Sequence, residues 1–402
     1  MAVQPPLEHK RTAPEDADAG VIEDARIRQR RQRTIGAALL AAVFCAGILV
    51  LGFGGGGNRH LSGRSEQRRP PSKPAATNSS LRPVVLIRGL RNAQAYAADG
   101  RLYVVEQVNA FGAAPIDELW RVNPATGRIL ATRALGGTYS QALRHGGSLW
   151  ITTTRGARSW LWRLDPDSLV IRAKLLLGTS GDGYGEAAPT MAVAGGWLWV
   201  GDMDQLLRVS PVTARITSEI PVPHAGGVDV ASDSNGFVLV DSEGRETAFV
   251  QRRDPVNGTL LKQSAPIQSI ARPYIGGVYK DSLWISNSGG HAGYVERFSL
   301  TTLKPTAFAG SQPHPGVMMP PAILGGGGIT AEVIDGTLWV TQTDGGTHAN
   351  YCGNPLTGVS RAPLKLDGQA DLLTVGSGRI YYLPVASVRN ETLKSVAASQ
   401  RC

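Results

Sequence analysis

Two different hydrophobic patterns divide the chain. From Thr34 to Phe53 (TIGAALLAAVFCAGILVLGF) twenty residues run without a charge. A helix of that length spans the ~30 Å of a bilayer's hydrocarbon core. It also lacks the polar face of a helix packed on a soluble core. The pattern predicts a transmembrane helix. From Pro83 onward the apolar residues come instead in short runs bounded by turn residues. One run reads Gly100-Arg-Leu-Tyr-Val, Gly147-Ser-Leu-Trp-Ile, Gly196-Trp-Leu-Trp-Val and Gly236-Phe-Val-Leu-Val. It continues as Asp281-Ser-Leu-Trp-Ile, Gly336-Thr-Leu-Trp-Val and Gly378-Arg-Ile-Tyr-Tyr. The copies are 40 to 55 residues apart.

A second element follows most copies: Leu119-Trp-Arg-Val-Asn-Pro, Leu161-Trp-Arg-Leu-Asp-Pro, Leu206-Leu-Arg-Val-Ser-Pro, Val295-Glu-Arg-Phe-Ser-Leu. It reads as a strand running into a tight turn, where Pro fixes φ and the preceding side chain bonds the backbone. Each unit is then a strand A, the Leu-Trp-Val strand B, a strand C ending in this turn, and a strand D. A period of 40–50 residues with four strands per unit is the signature of a propeller. The expected fold is all-β, a seven-bladed β-propeller over 83–402 preceded by a single transmembrane helix. The last unit runs out after its strand C, while Val84-Val-Leu-Ile-Arg has the character of a strand D. The N-terminal strand is therefore expected to complete the last unit and hide its edge. The Trp of strand B is expected to pack between units, and the Arg of strand C to sit in solvent on the outside.

The charge supports this division. The net charge is +9, but residues 1–82 carry 13 Lys+Arg against 7 Asp+Glu, and the remaining residues 28 against 25. A nucleic-acid surface needs its basic residues on the folded part, so no nucleic-acid partner is expected. Arg26, Arg28, Arg30, Arg31 and Arg33 precede the apolar span, which places residues 1–33 in the cytoplasm as a disordered tail and the propeller outside. A cleaved signal would have a shorter core with a small-x-small site after it. Here the core is long and GFGGGG follows, which favours an uncleaved anchor at 34–53. Residues 54–82 are rich in Gly, Arg, Pro and Ser and read as a flexible linker.

On its strand B and Asp-Pro-x-Thr-Gly turn motifs, the chain resembles the superfamily of YVTN, NHL and virginiamycin B lyase-like propellers. The resemblance implies the fold. It does not carry the lyase activity, because of the acids that follow strand B in the lyase only Glu106 is kept, and its histidine, acid and magnesium set cannot be placed here.

Candidate chemistry lies in the loops on one face of such a ring. His291 and His348 fall between strands B and C of adjacent units. His224 and His314 fall between D and A, and His145 ends a strand A. Asp182, Tyr184 and Glu186 share a long loop on that face, as does Asp344. Histidines with carboxylates could perform acid–base chemistry or hold a divalent metal, so His291, His348, His314, Glu186 and Asp182 are the catalytic candidates, with His224, Tyr184 and Asp344 as ligand contacts. The insertion Gly310–Thr330, with its Met and Ile, suits a partner surface or a lid. Cys352 stands in strand C of the sixth unit and Cys402 just past strand C of the seventh, so the register predicts a disulfide between them, which requires an oxidising compartment; the alternative is a frayed C-terminus carrying a free thiol.

The expected function is a membrane-tethered, extracytoplasmic binding or scaffold module for a protein, peptide or cell-wall ligand. The alternative is a lyase- or lactonase-type enzyme with a His and acid site at the channel mouth.

Overall fold

The computed structural model describes residues 83–397, less the segments 108–116, 180–188, 223–226, 234–235, 244–246, 269–272, 288–292, 308–322, 326–328, 345–346, 360–365, 367–369, 377 and 385–390. Among the described residues no helix is long and apolar enough to cross a membrane. The apolar span 34–53, the tail and the linker lie outside them.

The described chain is all strand and turn. After β1 (Val84–Leu90) come β2 (Gln94–Ala98), β3 (Arg101–Gln107), β4 (Asp117–Val122) and β5 (Ile129–Ala134). Next are β6 (Thr138–His145), β7 (Ser148–Arg155), β8 (Arg158–Leu164) and β9 (Ile171–Thr179). Then follow β10 (Thr190–Ala194), β11 (Trp197–Asp202), β12 (Gln205–Ser210) and β13 (Arg215–Pro221). The next group is β14 (Val228–Asp233), β15 (Gly236–Glu243), β16 (Thr247–Arg253), β17 (Leu260–Gln263) and the short β18 (Ile267–Gln268). After it come β19 (Tyr274–Tyr279), β20 (Ser282–Asn287), β21 (Gly293–Ser299) and β22 (Ile323–Gly325), then β23 (Ile329–Ile334), β24 (Thr337–Asp344), β25 (Thr347–Asn354) and β26 (Gly358–Val359). The chain closes with β27 (Ala370–Gly376), β28 (Arg379–Pro384) and β29 (Glu391–Ala397).

These strands form antiparallel sheets, seven among the described residues, each a meander of chain neighbours except the last. That one has the order β1-β29-β28-β27, with Val84 opposite Ser395 and Val85 opposite Lys394. The first strand thus completes the last sheet, as the sequence pattern predicts. The insertion 310–330 is not all loop: Ile323–Gly325 supplies the fourth strand of its sheet, pairing with β21.

Local sequence explains the turns. Asp99 and Gly100, between β2 and β3, both have positive φ, 50° and 73°, the pair that a two-residue type I′ hairpin demands. The turns after strand C are held by their first residue. The Asn123 carboxamide oxygen accepts from the N–H groups of Ala125 and Thr126, Asp165 Oδ1 from those of Asp167 and Ser168, and Asp254 Oδ1 from those of Val256 and Asn257. The N–H bonds that the two aspartates accept are of the charge-assisted kind. Those from Ser168 and Asp167, with the Ser168 hydroxyl and Arg172, hold the Asp165 carboxyl well below the usual range.

The core lies in the seams between successive sheets. Trp150 packs with Met191, Leu198, Val200 and Leu207 of the next sheet, and Trp199 with Val228 and Val230. Trp284 meets Ile329, Ala331 and Leu338, while Trp339 meets Val375, Ile380 and Val396. Tyr381 of the last sheet packs with Leu102 and Val104 of the first, which closes the circle. The fold is a β-propeller, and the recurring aromatic of strand B fills its seams.

The strand C arginine is a correction. The sequence reading puts it in solvent, yet four of the five described copies reach the turn of the next sheet. Arg121 donates to the Asp167 carbonyl (2.8 Å), Arg163 to that of Val212 (2.8 Å), Arg208 to that of Val256 (2.6 Å), and Arg297 to that of Leu356. In the β14–β17 sheet Lys262 takes this part, donating to the Thr301 carbonyl at 2.7 Å. Beside three of these bonds the strand B aromatic grips the preceding proline carbonyl: Tyr103 to Pro166, Trp199 to Pro255, Trp284 to Pro355. Such a bond contributes about 1–2 kcal/mol net. Replacing Arg208 by Met should therefore lower stability by about 1 kcal/mol in a denaturant titration. Replacing the exposed, neighbouring Arg215 by Met should change it by less than ~0.5 kcal/mol.

Candidate functional site

The channel is built from the first strand of each sheet. Six of these strands, counting Ala93 just ahead of β2, are stitched in one direction to the sheet before them, a side chain of that sheet accepting the backbone N–H. Asp117 accepts from Tyr139 (2.7 Å), Gln141 from Met191, Thr190 from Val230 (3.0 Å), Asp229 from Ile275 (2.6 Å), Ser286 from Ala331 (2.7 Å), and Glu391 of the last sheet from Ala93 (3.1 Å). The strands also approach closely. A Cβ on Gly276 would stand 1.8 Å from the Ala331 carbonyl oxygen, so only glycine fits there.

Inside this wall lies a cavity of about 570 Å³. Tyr96, Tyr139, Ser140 and Gln141 line one side, and Ile275, Gly276, Glu332 and Thr374 the other. Glu332 is the single charged side chain among the described lining residues. Glu332 is exposed into the channel, and desolvation by the surrounding protein raises its pKa to about 7. Across the cavity, burial pushes the Tyr139 phenol above its ordinary range, and the charge of Glu332 adds to that rise. Burial raises Tyr96 too, against the hydrogen bond that its oxygen accepts from the Arg144 N–H at 2.9 Å. The Ser140 hydroxyl is buried with no hydrogen-bond partner. Chemically the cavity offers one carboxylate that titrates near neutrality, with a buried, unpartnered hydroxyl and two tyrosines in its walls.

Other perturbed acids lie outside it. Glu296 on β21 is 1% exposed, neither of its oxygens has a partner, and burial raises its pKa to about 8. It stands where the corresponding strands of other sheets carry Trp120, Trp162 and Leu207. Asp202 is likewise raised by burial, against a hydrogen bond from Ser159.

The candidates from sequence fare differently. His224, His291, His314, Asp182, Tyr184 and Glu186 lie outside the described residues. His348 and Asp344 are not loop residues: His348 stands inside β25 opposite Thr343, and Asp344 ends β24 opposite Thr347. Their strands carry them because the connection between β24 and β25 is only two residues long. His145 ends β6, its carbonyl accepting the Trp150 indole N–H at 3.3 Å. No group of three His, Cys, Asp or Glu stands together as metal ligands among the described residues. Cys352 is disulfide-bonded, and its partner lies outside the described residues. Cys352 packs beside Val396 near the C-terminus.

Sequence reasoning missed Glu332, Ser140 and Tyr139. The one available signal was an acid within the apolar run Ile329-Thr-Ala-Glu-Val-Ile. No family model and no curated protein matches the chain, so its likeness to the YVTN, NHL and lyase-like propellers rests on the strand and turn motifs alone.

Proposed function

We propose that this chain is a single-pass membrane protein whose seven-bladed propeller stands outside the cytoplasm and serves as a binding or scaffold module. The ligand class is a protein, a peptide or a cell-wall glycan. The observation that carries the reading is the disulfide at Cys352, a bond that persists in oxidising compartments. The uncharged span 34–53 with its arginines on one side agrees with it. Cys402 is the proposed partner, because it follows β29 by a few residues and β29 supplies Val396 to the packing around Cys352. A ring whose sheets are fastened both at the channel and at the rim suits a rigid platform for recognition.

Protease added to intact cells should remove the propeller and leave the tail protected. The same propeller should retain immobilised peptides or muropeptides, with retention lost when Ser140→Trp fills the channel cavity. A propeller that protease spares, or an ester or lactone turnover that His291→Ala abolishes, would replace this reading with the enzymatic one.

A further inference from the structure

Resting on the binding reading above, we propose that the channel takes a small organic ammonium ion, held by the Glu332 carboxylate with Ser140 and Tyr139 beside it. Three observations converge. Glu332 is the only charge lining the cavity among the described residues, so its negative form has no counter-ion there. Ser140 lines the same cavity, and its hydroxyl is buried in the wall without a partner; buried polar groups left without partners are the exception in folded proteins. Tyr96 and Tyr139 line the same cavity, and aromatic rings attract cations.

A metal ion fits less well. One carboxylate without further His, Cys, Asp or Glu does not form a metal-ligand set. An ammonium group needs only a carboxylate, a hydroxyl acceptor and an apolar or aromatic lining for its carbon skeleton, and Ile275, Val333 and Ile334 provide that lining. The cavity of about 570 Å³ falls within the range of small-molecule sites.

Proton linkage follows from the surroundings of Glu332. Desolvation holds its carboxyl half-protonated near pH 7. The titratable groups facing it are Tyr139 on β6 and Tyr96 on β2, both raised and both neutral at that pH. β19 presents Ile275 and Gly276, and β27 presents Thr374. A cation binds the ionised form, so binding releases protons at pH 7 and weakens about tenfold per unit well below it.

The test is calorimetry on the full chain in detergent micelles, with phenethylammonium as probe and 2-phenylethanol as its neutral counterpart. The expected result is saturable binding of the ammonium, at least tenfold weaker binding of the alcohol, and a tenfold or greater loss in Glu332→Gln with an unchanged unfolding midpoint. Ser140→Ala should weaken binding a few-fold. Proton release by the wild type, measured in buffers of different ionisation enthalpy, gives a readout that does not depend on any variant. No binding by the wild type, equal binding by Glu332→Gln, or no proton release at pH 7 would overturn the proposal. Such a failure leaves retention of peptides or muropeptides intact, whereas failure of the broader reading would appear in that retention and in the protease assay.

Discussion

Deleting residues 83–90 should abolish cooperative unfolding, whereas deleting 54–80 should leave the unfolding midpoint where it is. The first strand has no local partner. It pairs only with β29, some three hundred residues later, and it delivers Leu86 and the fully buried Leu90 to a cluster with Tyr381, Leu383 and Leu393. Each leucine removed from such a site costs about 2–5 kcal/mol. The deletion also strips the antiparallel pairing from β29 and leaves an open edge next to the chain terminus. β1 further closes the seam to the first sheet, where the Leu86 carbonyl lies so near Gly127 that a Cβ there would stand 2.0 Å from it. The sum matches or exceeds the whole stability of an ordinary domain, about 5–15 kcal/mol. Thermal unfolding of both truncations followed by Trp fluorescence decides the matter. A cooperative transition near the wild-type temperature after loss of 83–90 would show that β1 is dispensable.

Replacing Glu296 by Leu or Gln should stabilise the protein, and the gain should grow with pH. The folded carboxyl holds its proton up to about pH 8, while in the unfolded chain it ionises near its ordinary value of 4.5. Between those values the unfolded state has lost a proton that the folded state keeps, so stability falls as pH rises through the window and levels off above it. With ~1.4 kcal/mol for each pKa unit, a gain of about 4 kcal/mol at pH 8 is expected for the variants, and little at pH 4.5. Leu should outperform Gln, since Gln still buries polar atoms without partners. Denaturant titrations at pH 5 and pH 8 measure both. A variant less stable than the wild type at pH 8 would mean that the carboxylate serves a partner in the seam.

Much of the architecture was legible in the sequence, because the features that define it are local. The Leu-Trp-Val strand announces itself by alternation and the strand C turn by its Asn or Asp before Pro. The first strand's role could be read because the last unit visibly lacks a fourth strand. The arginines were misread for the opposite reason. Arg208 looks like an outward residue of one strand, and its acceptor is a backbone carbonyl forty-eight residues away, a group with no signature in side chains. The channel was hidden for a related reason. Its walls come from strands such as Tyr274–Tyr279 and Gln94–Ala98, whose polar and apolar residues do not alternate cleanly because neighbouring strands and the channel both claim them. Histidines drew the eye to loops, while the acid that the structure isolates sits in the middle of β23.

The one-way stitching bears on how the molecule is made. Every fastening described, at the channel and at the rim, joins a sheet to its successor, and each waits for residues synthesised later. A nascent chain can therefore form its sheets one after another but cannot finish the first until the last has emerged, since Ala93 is bonded by Glu391 and Val84 pairs with Ser395. Contacts of that sequence separation form slowly. The final joining of the two ends is thus the event that sets the pace of maturation, and a half-emerged ring leaves the apolar edge of its first sheet open to chaperones and proteases for the longest time.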